Sequence, residues 1–271
     1  DNAATVQLAG AATNDVAATV GEAISALPPA TLPNGLPGAT GFVPNNVDPV
    51  RLTGAIGRYF DVTLGNAGTT TLDTVVTIDR FRIANAGARL NVTSAGSLTS
   101  LIDVTQVAGV TQVDGTLTSR GDFLAMGGGL TGSGRINAPF TTSVAAAIAP
   151  GTQGTIGTLT FGGNLVLASA SSLVIDLGPS LTSDRVAVVG TNFIGTTPVN
   201  GNANLGGRVA FGAVPGTVVR NNDVYTILTA QGAITGAFAA PTAISAILTP
   251  TFGTTVHAAD GHEALAILAR E

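Results

Sequence analysis

The 271 residues include no cysteine, tryptophan or lysine, only 10% are charged, and all 11 basic side chains are arginine. A net charge of −5 with no basic cluster argues against a nucleic-acid surface and against attraction to anionic lipid. At 45% hydrophobic, mainly Ala, Val, Leu and Ile, the chain is too apolar and too poor in charge for a disordered tail. Small aliphatic side chains suit thin repeated layers better than one thick core. No stretch approaches the ~20 apolar residues of a membrane-spanning helix. Asp1 follows no basic or apolar leader, so the expectation is that the numbering starts inside a longer precursor or after processing.

Residues 1–58 read as a cap. Asn14 or Asp15 can cap a short helix whose Val16, Val20, Ile24 and Leu27 share one face, and Pro28 and Pro29 end it. The Pro-, Gly- and Asn-rich residues 28–49 then read as a loop. From about residue 59 the period becomes two. Residues 71–83 alternate through Leu72, Val75 or Val76, Ile78, Phe81 and Ile83. Short strand-like pieces follow at 88–92, 96–99, 115–118, 129–131, 157–161, 164–167 and 172–177, each opened by a small or polar turn residue. The intervals are uneven, 19 residues from Gly96 to Gly115 but eight from Leu165 to Leu173. Uneven intervals suit the variable turns of a right-handed parallel β-helix. An antiparallel sandwich has strands of the same length and stays open on pattern alone. The expected organisation is an all-β solenoid at 59–240, between the helical and loop cap at 1–58 and C-terminal capping strands at 241–271.

Between residues 145 and 240 the motifs become specific. Ile148-Ala149-Pro150-Gly151, with Gly157-Thr158-Leu159-Thr160, resembles the L-A-P-G…G-T-L-T-V rung of autotransporter (type V secretion) passenger domains. Asn164-Leu165-Val166-Leu167 and Ser172-Leu173-Val174-Ile175-Asp176-Leu177 resemble the next two strands. Ser183-Asp184-Arg185-Val186-Ala187-Val188-Val189-Gly190 resembles the S-D-R-L-x-V-x-G turn and strand. Tyr225-Thr226-Ile227-Leu228-Thr229-Ala230, then Gly236-Ala237-Phe238, resembles the closing element. Residues 71–144 match the preceding rungs more loosely. The resemblance implies a parallel β-helix exported across the outer membrane and displayed on, or shed from, a Gram-negative cell. No membrane barrel follows Glu271 and residues 1–58 match no such motif, so a cut passenger, a released fragment or a relative with another route to the surface is expected. The implied role is non-catalytic, as adhesin, stalk or scaffold, without cofactor. Self-association or a cell-surface glycan or protein would be the partner, and the outer membrane would be reached only through a barrel outside this chain. A self-assembling fibre or surface-layer subunit is the alternative, and a polysaccharide-degrading β-helix enzyme the third reading.

The candidate chemistry is sparse. Gly127-Gly128-Gly129-Leu130-Thr131-Gly132 has G-x-G-x-x-G spacing, but residues 133–137 after it read as a strand and not as the helix a dinucleotide site needs. A Gly-rich solenoid turn is expected there. Without Lys there is no Walker loop, and without Cys or a G-x-S-x-G elbow no nucleophile stands out. Asp73, Asp79, Asp103, Asp114, Asp122 and Asp176 are spread thinly and expected to face solvent, where a lyase or hydrolase would cluster them. Asp184 and Arg185 are expected to form a turn ion pair. His257, Asp260 and His262, beside Glu263, are the metal candidates, zinc above all. The competing reading is an Asp260-Gly261 turn in a terminal hairpin of residues 255–258 and 264–269. Arg80, Arg82 and Arg89 are the densest basic group, and Arg80 and Arg82 point the same way from a strand. Such a pair can grip a sulfate or uronate, or neutralise Asp79 and its neighbours.

Overall fold

The computed structural model describes residues 60–152, 154–191, 199–220 and 222–239, and the backbone of Thr249–Phe252, Val256–His257 and Glu263–Arg270. The cap expected at 1–58 lies outside the described residues. Two sheets are wound together. The smaller stacks Gly68–Leu72, Ala88–Val92, Val110–Val113, Gly129–Gly132, Ala147–Pro150, Ser172–Leu177 and Arg208–Ala213 in chain order, every pair parallel. Between these strands the chain crosses the larger sheet, as Asp61–Leu64, Val75–Ile83 and Ser97–Gln106, then Thr116–Ser119 with Phe123–Ala125, then Arg135–Ser143 and Thr158–Leu167. Two split crossings complete the stack, Arg185–Val189 with Ala203–Leu205 and Val224–Ala230 with Ile234–Gly236. This is a β-solenoid. The parallel pairing removes the antiparallel sandwich. Antiparallel strand pairing is confined to the end, where Glu263–Arg270 closes on Val224–Ala230 and carries Thr249–Phe252 and Val256–His257 on its other edge.

From Val75–Ile83 onward the parallel crossings of the larger sheet are creased, which gives the described stack three faces. Arg135–Ser143 pairs through residues 135–137 with one strand and through 141–143 with another. Register shifts mark the crease between Ile78 and Arg80 and between Asn137 and Phe140. The crease changes which residues face inward. Ile78 and Asp79 are both buried, at 5% and 3% exposure, before Phe81 and Ile83 resume the alternation. The run 71–83 is therefore not one strand; it turns after Leu72 and shifts parity at Asp79. Conversely, residues 157–161 and 164–167 belong to one strand, Thr158–Leu167. That strand passes the crease at Gly163, whose φ of +122° and lack of Cβ let it lie against the Ala138 carbonyl.

In-register pairing stacks like on like at about 4.8 Å. Val76, Leu98, Leu117, Ile136, Phe161 and Val188 form one inward column. Leu90, Thr111, Leu130, Ile148, Leu173 and Val209 form another. Leu117, Leu130, Ile136 and Ile148 are 0% exposed, each burial contributing about 1.5–3 kcal/mol. Leu98, Leu117 and Ile136 are 19 residues apart, which is the length of a full turn where no insertion lengthens it. Leu165 and Leu173 lie on different sheets of one turn, so their eight-residue interval is no rung at all.

The tube is narrow, and its corners carry buried carbonyls that need donors. Ser100 Oγ donates to the Asp103 carbonyl at 2.6 Å, Ser143 to Ala146 at 3.1 Å and Ser171 to Ser143 at 2.6 Å. Gln106 Nε2 faces the carbonyls of Gly109, Gly127 and Gly129, each at 3.1 Å, while its Oε1 accepts from the Thr111 hydroxyl at 2.7 Å.

Candidate functional site

Several residues that the pattern places on the surface are inside. Asp184 is 2% exposed, and its carboxylate accepts from the backbone N–H groups of Gly157 at 2.8 Å and Asp176 at 2.9 Å. The expected Asp184–Arg185 turn ion pair is replaced by a clamp on two backbone segments, with Arg185 exposed. Burial pushes the Asp184 carboxyl up to about 6, against the pull of its two amide donors. Asp79 departs from the expected solvent-facing placement in the same way. It accepts from the Phe60 N–H at 2.7 Å, and burial raises it to about 6, the Phe60 donor opposing and the Asp61 charge adding. The break in alternation between Ile78 and Phe81 was the one sequence signal for a buried Asp79.

The remaining candidates do not converge. Arg80 Nε donates to Asp103 Oδ1 at 3.0 Å and stands in register between Asp61 and Asp103. Burial raises the Asp61 carboxyl and Arg80 opposes it. Asp103, on the next turn, is thus a partner of Arg80. Arg82 is exposed on the same strand, whereas Arg89 lies on the smaller sheet and donates to Gln112 Oε1 at 2.6 Å. Asp114 accepts from Ser133 N–H at 3.0 Å and Gln112 Nε2 at 2.7 Å; Asp73 and Asp122 are exposed. Asp176 Oδ2 accepts from Gly154 N–H at 3.0 Å. The glycine run is a turn at Gly127 and Gly128 leading into the strand Gly129–Gly132, with Gly128 at φ +81°. Among the described residues no three His, Asp or Glu side chains are grouped to hold a metal. His257 pairs Glu263 across the terminal hairpin in the backbone register, while Asp260 and His262 lie outside the described residues.

The tertiary structure instead assembles a site that the sequence conceals. On the second face of the larger sheet, the inward residues Phe81, Val104, Phe123, Thr141, Leu165, Ala203 and Ile234 stack in register. The residue before each points outward, giving the outer column Arg80, Asp103, Asp122, Phe140, Asn164, Asn202 and Ala233. Its beginning is charged. Its later part opens with Phe140, 45% exposed and in register with Asn164. Asn164 Oδ1 accepts from the Asn202 N–H at 3.0 Å, and Asn202 Oδ1 accepts from the Ala233 N–H at 2.9 Å. Gln231 Oε1 accepts from the Gly190 N–H at 2.7 Å. Beside these amides lies a cleft of about 780 Å³; among the described residues its polar side chains are Thr191, Asn200, Asn202 and Gln231, and none of those lining it is ionisable. A side chain at Gly232 would collide with Asn202 Oδ1, so glycine there keeps the amide seated.

No protein-family model matches the chain, and no curated protein matches it.

Proposed function

We propose that the chain is the passenger β-helix of an autotransporter-like protein, exposed outside a Gram-negative cell as a non-catalytic adhesin, stalk or scaffold. The observation that carries this reading is where the five resembling motifs fall. They run along one parallel stack, the second and third on a single turn, at positions that hold it together. Gly151 turns at φ +73°, the Asp184 clamp joins two turns, and Tyr225 closes the core at 1% exposure. A stack of this kind lengthens by about 4.8 Å per turn, binds each turn to its neighbours by backbone hydrogen bonds, and tolerates loops at its corners. Those are the properties of a rod that carries a surface outward.

The test is surface display. With the complete reading frame expressed in a Gram-negative host, protease added to intact cells is expected to release a folded fragment containing this chain. A chain that is cut only after lysis refutes the reading.

A further inference from the structure

We propose that the column from Phe140 to Ala233, with the cleft beside it, binds a neutral, hydroxyl-rich oligosaccharide. The biological setting rests on the surface-display reading; the chemistry rests on the site alone. Phe140 lies outside the hydrophobic core and stands 45% exposed on the outer face directly beside an amide. An aromatic face stacks on the apolar face of a sugar ring, while the ring's hydroxyls need hydrogen-bond partners at its edge. The amides supply them. The oxygens of Asn164, Asn202 and Gln231 are held by backbone N–H groups, which fixes each amide plane and leaves its NH₂ outside these bonds. Asn164 and Asn202 belong to adjacent turns, so their donors repeat at about 4.8 Å along the stack.

The cleft sets the charge of the ligand. Its 780 Å³ falls within the ordinary range for small-ligand sites, and among the described residues no ionisable side chain lines it. Nothing there attracts a sulfate or a uronate, and the aspartates earlier in the column, within a chain of net charge −5, repel both. The rim is preorganised, which limits the ordering cost of binding. Thr191 and Val199 exchange backbone hydrogen bonds of 3.0 and 2.9 Å, and Gly201 turns at φ +75° where a Cβ would meet the backbone of Val189 at 2.5 Å. A protein partner would instead use other exposed apolar side chains, such as Leu124 and Val144.

The experiment screens the purified chain against immobilised neutral, uronate-containing and sulfated oligosaccharides, followed by calorimetry on the best neutral binder. Binding to a neutral glycan is expected, with acidic glycans bound more weakly. Phe140→Ala is expected to weaken it about five- to tenfold. Asn200→Glu, which places a carboxylate in the cleft, is expected to weaken it at least tenfold. Both positions are exposed, so unchanged circular dichroism and Tm verify the fold, and Val218→Ser, at a 67% exposed position, serves as the control. Three results overturn the proposal: no neutral glycan binds, acidic glycans bind better, or both variants bind as the parent does. Cells that display the chain but owe their adhesion to Leu124 and Val144 leave the display reading standing and this site refuted. A chain that binds the glycan yet never reaches the surface does the reverse.

Discussion

Replacing Asp79 by asparagine is expected to stabilise the fold at neutral pH. Asp79 is 3% exposed, and burial raises its carboxyl from 3.8 to about 6. The folded chain therefore holds this proton more tightly than the unfolded chain does. Between about pH 4 and pH 6 the native state binds more protons, so stability falls as pH rises through that window and levels off above it. At 1.36 kcal/mol per pKa unit, a shift of this size amounts to about 2–3 kcal/mol lost by pH 7.5. Asparagine keeps an oxygen for the Phe60 N–H, now 2.7 Å from Oδ2, and carries no charge to desolvate. After allowance for placing its NH₂, a gain of about 1–2 kcal/mol at pH 7.5 is expected, shrinking to nothing at pH 4. Urea unfolding followed by circular dichroism at four pH values measures it, the m-value serving as the check that the unfolded reference is unchanged. Asp184 titrates in the same range, so roughly half of the parent's pH slope is expected to survive in the variant. A variant that is less stable than the parent at pH 7.5, or one whose gain is the same at pH 4, refutes the reasoning.

Asp184→Ala strands the amides of Gly157 and Asp176 and is expected to cost about 2–4 kcal/mol in the same assay, with faster proteolysis around residues 152–157. Gly128→Ala meets both a φ of +81° and the Gly109 carbonyl, and is expected to destabilise by at least about 2 kcal/mol. Gly154→Ala, at φ +80° with open space around it, is expected to cost only about 1–2 kcal/mol. Equal losses in Tm for the two glycines would show that the close approach of backbone at the corner does not matter.

The strands were legible because their signal is local. Alternation of branched and polar residues between small turn residues marks Ala88–Val92 and Ser172–Leu177 to the residue. The glycine run at 127–132 was legible as a turn because no helix follows it. Aspartates were read less well. An alternation rule that assumes one parity along a strand assigns Asp79 to solvent, and the crease shifts that parity by one residue; Asp184 keeps the inward parity of Val186 and Val188, and reading it as half of a turn ion pair hid that.

The sequence by itself determined a stack of short strands with small aliphatic cores, since period two and turn residues act over a handful of positions. Only the tertiary structure decided which residues share a column. Asn164 meets Asn202 across 38 residues and Asn202 meets Ala233 across 31, because insertions lengthen the later turns. Hydrogen-bonded register, not spacing along the chain, brings those amides beside Phe140, and no local pattern encodes a register that is set one turn away.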